Sequence, residues 1–272
     1  MLYYSRRSGS FHLDQFLSDM KWKPSVFIFS FIGLLGMAWW AMGTHEPPER
    51  EPALMKALLQ GLTRHHFQPK PIDDAYSKDV YSFYMDEIDS GKRFLTKSDV
   101  EQLQGYEKQL DDQAQEGKFD FFNLSLQILD QSYTKTQAWC REILANPLDF
   151  SKNETIETDG KKLKWAKNDN DLRERWQAWM KYDVLSRITD EQEKQAKPDF
   201  KGEQKTFVQL EKEMRAKVLD NYEKYFKRLQ KMDRKRRMEA YLNAFTEVFD
   251  PHSNYFSPQD KEDFDIQMSG KL

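Results

Sequence analysis

The side chains with the widest chemical repertoire are few here: five histidines and one cysteine in 272 residues. His65 and His66 are adjacent, and on a helix such neighbours point about 100° apart, so the pair cannot readily share a metal ion. His12 and His45 flank a long apolar run near the N-terminus. The fifth, His252, follows Asp250 by two positions in FDPHSNYFSP, where a carboxylate–imidazole contact would serve general-base work. The same string also reads as a rigid turn, because Pro251 fixes its backbone and Ser253 and Asn254 favour turns. The turn is the preferred reading, with Tyr255 and Phe256 expected to be buried beside Phe245 and Phe249. Cys140, alone, excludes an intrachain disulfide, a CxxC redox pair and a Cys-based zinc or iron–sulfur cluster. No HExxH, G-x-S-x-G or P-loop occurs, and 11 glycines leave no phosphate cradle. No residue is assigned a catalytic, cofactor-binding or metal-binding role, and no cofactor is expected.

Charge narrows the partners. Lys and Arg total 42 against 45 Asp and Glu, a net charge of −3, so nothing draws the whole chain to nucleic acid or anionic lipid. One basic run stands out: Lys224, Lys227, Arg228, Lys231, Arg234, Lys235, Arg236 and Arg237, interrupted only by Asp233 as an acid. It joins two amphipathic patterns and reads as a solvated helix–turn–helix corner; nucleic acid is not expected as a partner, while contact with phospholipid head groups stays open.

The elements that must position these residues are helical. Gly (11) and Pro (10) are sparse, which argues against an all-β fold with many tight turns. Apolar stripes recur at three- and four-residue spacing. They include Leu54, Ala57, Leu58 and Leu62; then Val80 to Ile88 after an Asp73 cap, with Gly91 able to close that helix in the left-handed conformation. A third helix, residues 96–117, opens on the capping pattern Thr96-x-x-Asp99. A fourth covers residues 119–144 and stops before Pro147. Leu172, Trp176, Met180, Val184 and Ile188 step by four; Phe207 to Leu229 and an Asp233-capped stretch to Phe249 complete the set. Two departures are expected: a small β-hairpin or an extended excursion around Asp159-Gly160 over residues 155–165, and a mobile loop at residues 189–204. The fold class is thus mainly α, about seven helices over roughly residues 50–265.

Residues 1–43 are a separate object. Residues 25–43 carry no charge over 19 positions, enough to cross a bilayer core of about 30 Å as a helix. Arg6, Arg7, Lys21 and Lys23 precede the run, and Glu46, Glu49 and Glu51 follow it, so positive-inside bias places the N-terminus in the cytosol and the rest across the inner membrane. The run also reads as a cleaved signal starting at Met20. The resulting division is 1–24 cytosolic flank or n-region, 25–43 signal peptide or transmembrane anchor, 44–51 linker and 52–265 helical domain, with 266–272 beyond it. Either way, the remainder is expected to be exported to the periplasm.

Three stretches carry a resemblance: FLTKSDVEQLQGYEKQLDDQAQEGKFDFF (residues 94–122), NPLDFSKNETIET (146–158) and EVFDPHSNYFSPQDKEDFDIQMSGKL (247–272). Together they resemble the tail-specific proteases, the bacterial carboxy-terminal processing peptidases, over the helical region that precedes their PDZ domain. The resemblance implies a periplasmic serine endopeptidase with a Ser/Lys dyad that degrades proteins from nonpolar, unstructured C-termini. Its implied partners are such protein substrates, an adaptor protein, and the inner membrane through residues 25–43. Residues 266–272 would begin the linker into the PDZ domain. The family's nucleophile and base have no matching positions here, and Ser269 and Lys271, two residues apart in a tail, cannot stand in for them. The chain is expected to be a non-catalytic N-terminal fragment, inactive alone; a stand-alone membrane-tethered interaction module is the alternative.

Overall fold

Caps written into the sequence set most of the helix boundaries. The computed structural model describes residues 50–270. Among them run α1 (Arg50–Arg64), α2 (Asp74–Asp89), α3 (Lys97–Gln104), α4 (Leu110–Glu116) and α5 (Asp120–Ala145). α6 (Asp169–Gln195), α7 (Phe207–Lys231), α8 (Arg234–Phe249) and α9 (Pro258–Ser269) follow. The Asp73 carboxylate accepts from the Ala75 and Tyr76 amides at the start of α2. Thr96 and Asp99 form a reciprocal capping box on α3. Asp233 caps α8 by accepting from the Arg236 amide at 2.8 Å. Three further caps were not anticipated: Asn168 on α6, accepting from the Asp171 amide, a Thr206–Gln209 box on α7, and Ser257 with Pro258 on α9. Each such cap contributes about 1 kcal/mol.

The helical faces form one continuous core. Along α6 the four-residue ladder Leu172, Trp176, Met180, Val184 and Ile188 is wholly buried. α7 runs antiparallel to it, placing Tyr222 and Phe226 each 5.8 Å from the Trp176 ring. It is antiparallel to α5 as well, since Arg141 pairs with Glu223 while Arg215 bonds the Leu144 carbonyl. α2 and α8 are antiparallel, with the Tyr76 hydroxyl donating to the Phe245 carbonyl and Tyr84 meeting Tyr241 ring to ring at 5.2 Å. Tyr241 also stacks on Phe122 at 5.0 Å, joining α5 to that pair. α1 lies alongside α8 in the same sense: Glu51 meets Arg234 at the start of both, and His66 meets Asp250 at the end. It buries Met55, Leu59 and Leu62, a face rotated from the anticipated one, and leaves Ala57 exposed.

Four expectations are corrected. The 96–117 helix divides after Gln104, because Ser77 Oγ donates to the Glu107 carbonyl (2.9 Å) and accepts from the Leu110 amide (2.8 Å), satisfying the backbone at the break. The left-handed conformation after α2 falls on Lys92 (φ 47°), not Gly91. No hairpin ladder forms over residues 155–165. Asp159 and Gly160 make a hydrogen-bonded turn, but it is docked on the end of α2: a Cβ on Gly160 would lie 2.1 Å from the Ser90 carbonyl oxygen, and Lys92 Nζ donates to the Gly160 carbonyl at 2.6 Å. Lys181 pairs with Glu154 nearby. Tertiary bonds thus take groups that a ladder would have used, and the isolated bridge of the described residues joins Thr96 to Ala166. The loop expected from residue 189 begins only after Gln195, whose side chain accepts from the Lys205 amide and ties the loop's far end back. Among the described residues no helix is long and apolar enough to cross a membrane; the apolar run 25–43 lies outside them.

Candidate functional site

The string FDPHSNYFSP leaves the end of α8 and enters α9. Asp250 accepts at both oxygens: Oδ1 from the His252 amide (3.1 Å), Oδ2 from His66 Nε2 (3.0 Å) and from Ser253 Oγ (3.4 Å). Those donors, the His252 amide first and His66 second, hold its carboxyl below the usual range. The imidazole partner is therefore His66, 184 positions earlier, and His252 contributes its backbone while its side chain stays exposed. Nothing in the local spacing announced this; the signal was only that His66 closes the first helical pattern. The His66 ring stands edge-on to Phe249 at 5.0 Å, and Lys70 Nζ donates to the Phe249 carbonyl at 2.6 Å. Asn243 Oδ1 accepts from the Tyr255 amide at 2.7 Å, fixing the middle of the turn on α8.

This geometry clamps the segment after α1 to the end of α8. A nucleophilic serine needs the imidazole as its base, whereas Ser253 and His66 both bind the carboxylate between them. One part of the expected packing is overturned. Tyr255 packs against the core, but Phe256 is 54% exposed and meets Phe264 of α9 at 6.0 Å instead of Phe245 or Phe249. The Asn243 bond holds the turn so that consecutive side chains point to opposite sides, and Tyr255 takes the inner one.

Beside the turn lies a cleft of about 890 Å³, walled by Phe83 and Ile88 of α2, Leu126 of α5, Leu229 of α7 and the turn's Tyr255 and Phe256. Two of its arginines are paired, Arg236 with Glu239 (2.8 Å) and Asp260 (3.4 Å) and Arg237 with Asp130 (2.7 Å), and Glu87 and Glu247 line it as well. At its α2 end, Asp89 is 5% exposed and accepts from the amides of Arg93 (2.8 Å), Phe94 (3.0 Å) and Leu95 (2.9 Å). Burial pushes its carboxyl up to about 6 against the pull of those three donors. The cleft offers apolar walls edged by both paired and acidic side chains.

The other candidates sit apart. Cys140 is buried in α5, and burial pushes its thiol up to about 12. Ser269 donates to the Ile266 carbonyl at the end of α9, and Lys271 lies outside the described residues. His65 is exposed, and among the described residues no group of three His, Cys, Asp or Glu stands close enough to hold a metal ion. The basic run is the α7–α8 corner. Lys224 pairs with Asp220 at 2.6 Å, and Arg234 grips Glu51 through two nitrogens at 2.7 and 2.8 Å.

The described residues thus form an α-helical domain in which the FDPHSNYFSP string clamps two distant segments together. Residues 58–259 match the tail specific protease N-terminal domain, and the chain belongs to that family. It is similar to the tail-specific protease of Haemophilus influenzae, 25% identical over 143 residues that make up 51% of this chain and 20% of that protein. The match thus spans about a fifth of the length of that curated relative.

Proposed function

We propose that this domain is the non-catalytic helical platform of a periplasmic tail-specific serine endopeptidase that degrades proteins from unstructured C-termini. In this reading, residues 25–43 either anchor it in the inner membrane or are cleaved as a signal, and a Ser/Lys dyad elsewhere performs the hydrolysis. The observation that carries the reading is the family match, which runs from within α1 through the Asp250 clamp to the first residues of α9. Every polar side chain of that clamp engaged here serves the backbone or another clamp residue, as befits a framework. The test begins with the genomic DNA beyond codon 272. A frame encoding a PDZ domain and a Ser/Lys core supports the platform, and deleting residues 58–259 from that frame should abolish processing of a tagged, unfolded protein. Unchanged processing would refute it.

A second reading, a stand-alone membrane-tethered interaction module, draws on one observation. Phe256, Phe264 and Met268 are exposed at or just beyond the mouth of the apolar cleft, where a partner helix or extended peptide could lie. A clean stop followed by unrelated DNA favours that reading.

A further inference from the structure

The α7–α8 corner carries more cation than its neighbours neutralise. Arg234, Arg236 and Arg237 are committed to Glu51, Glu239 with Asp260, and Asp130, and Lys224 to Asp220. Lys227, Arg228, Lys231 and Lys235 are exposed, and among the described residues none of the four forms an ion pair. Lys227 and Lys231 are one helical turn apart on α7, Arg228 borders them, and Lys235 opens α8 just across the turn. Met232, between the two helices, is 42% exposed and lines the cleft beside the FDPHSNYFSP turn. Two of these cations, Arg228 and Lys231, also suit the C-terminal dipole of α7, but that does not account for Lys227 or Lys235.

Position adds to charge. The Glu51–Arg234 grip pins the start of α1 to this same corner. Seven residues lie between Gly43, the end of the uncharged run, and Glu51, so the chain between them spans at most about 28 Å when fully extended. A chain tethered through residues 25–43 therefore keeps the start of α1, and the corner pinned to it, within that reach of the tether's end. We infer that the α7–α8 corner docks on an anionic phospholipid bilayer, with Lys227, Arg228, Lys231 and Lys235 among the head groups. The net charge of −3 makes the contact orienting: the corner is drawn to the surface while the more acidic remainder is turned away from it. Docked this way, the tether and the corner hold the domain in one orientation, with two weak signals adding up to one stable placement.

The inference rests on the reading of residues 25–43 as an anchor, and the test separates the two. The full chain with Met232→Cys, labelled with an environment-sensitive dye, is reconstituted into phosphatidylcholine vesicles with or without phosphatidylglycerol; the native Cys140 is buried and does not compete for the label. The expected result is a blue-shifted emission that requires phosphatidylglycerol and disappears at high salt. Each basic residue at such a surface contributes about fivefold, so Lys227→Gln, Lys231→Gln and Lys235→Gln together should lower the ratio of docked to undocked emission about 100-fold. Equal emission in both kinds of vesicle, or a triple variant that docks like the parent, overturns the inference. So does binding to soluble polyphosphate with no preference for vesicles. Alkaline extraction reports the anchor independently: a chain that washes off refutes the anchor, while its response to phosphatidylglycerol still decides the corner.

Discussion

Asp89 sets burial against hydrogen bonding in one measurable group. Its carboxylate is 5% exposed and receives three backbone amides from residues 93–95. Burial favours the neutral acid, the three donors favour the anion, and here burial prevails, raising the group from 3.8 to about 6. A carboxyl whose folded value exceeds its unfolded one binds its proton more tightly in the native state. Its contribution to stability is complete below about pH 4 and is lost as pH rises through about 6. Integrating that linkage from about pH 4.5 to about pH 7.5 gives about 2 kcal/mol. Asp89→Asn cannot titrate. Its carbonyl can take over the Phe94 and Leu95 amides, but its amino group faces the Arg93 amide, a loss of about 1–3 kcal/mol for a donor left unpaired. At neutral pH the variant escapes the cost of a buried charge, so the two effects nearly cancel and the proteins should be of similar stability. At acid pH the parent should gain the 2 kcal/mol and the variant should not. Urea unfolding of the compact Glu51–Leu272 unit, followed by circular dichroism at both pH values, measures the difference while other titrations cancel between parent and variant. A stability gap independent of pH would show that burial and amides balance. A gap that widens toward neutral pH would reverse the argument, showing that the three amides outweigh burial.

Phe245→Ala, in the sealed core, should cost about 3–5 kcal/mol, whereas Phe256→Ala, mostly exposed, should cost about 0.5 kcal/mol or less; denaturant midpoints rank them. Gly160→Ala forces a methyl group to within 2.1 Å of the Ser90 carbonyl, which is backbone and cannot swing aside, so a loss of about 1–3 kcal/mol is expected in the same assay. Cys140 should resist an aromatic disulfide reagent in the native protein and react at once in denaturant, since its thiol is both buried and pushed up to about 12; rapid native labelling would show that α5 opens locally.

What the sequence disclosed depended on how local the determining contact was. The α6 ladder from Leu172 to Ile188 and the α8 face from Met238 to Phe249 are buried as their periodicity requires, because one stripe facing one core leaves no alternative. The caps at Asp73, Thr96 and Asp233 were equally readable, being bonds across two or three residues. The misjudged features answer to distant groups. Ser77 breaks the 96–117 helix from 30 and 33 positions away. The Asp159-Gly160 turn has hairpin chemistry, but Lys92 and the Ser90 backbone claim it. Lys92, with no intrinsic liking for positive φ, accepts it because its side chain reaches the Gly160 carbonyl and lies over Trp165 at 5.4 Å.

The Asp250 clamp shows how many structural demands one short string can carry. Asp250 must end α8, receive His66 and bind its own turn; Ser257, seven positions later, must cap α9, accepting from the Asp260 amide at 3.2 Å. Between them, the Tyr255 amide must meet Asn243. Few residue types satisfy so many geometric demands at once, and a string so constrained stands out whether or not it touches a substrate. Its mechanical consequence is definite. The clamp ties the segment after α1 to the end of α8 and fixes the direction in which the chain enters α9. Loosening the clamp with His66→Ala should therefore free the turn more than it destabilises the core, leaving Tyr84, Phe122 and Tyr241 packed as before. Hydrogen exchange should show faster exchange at residues 250–257 with unchanged protection in α2 and α5, and a uniform loss of protection across all the helices would show that the clamp is part of the core's own stability.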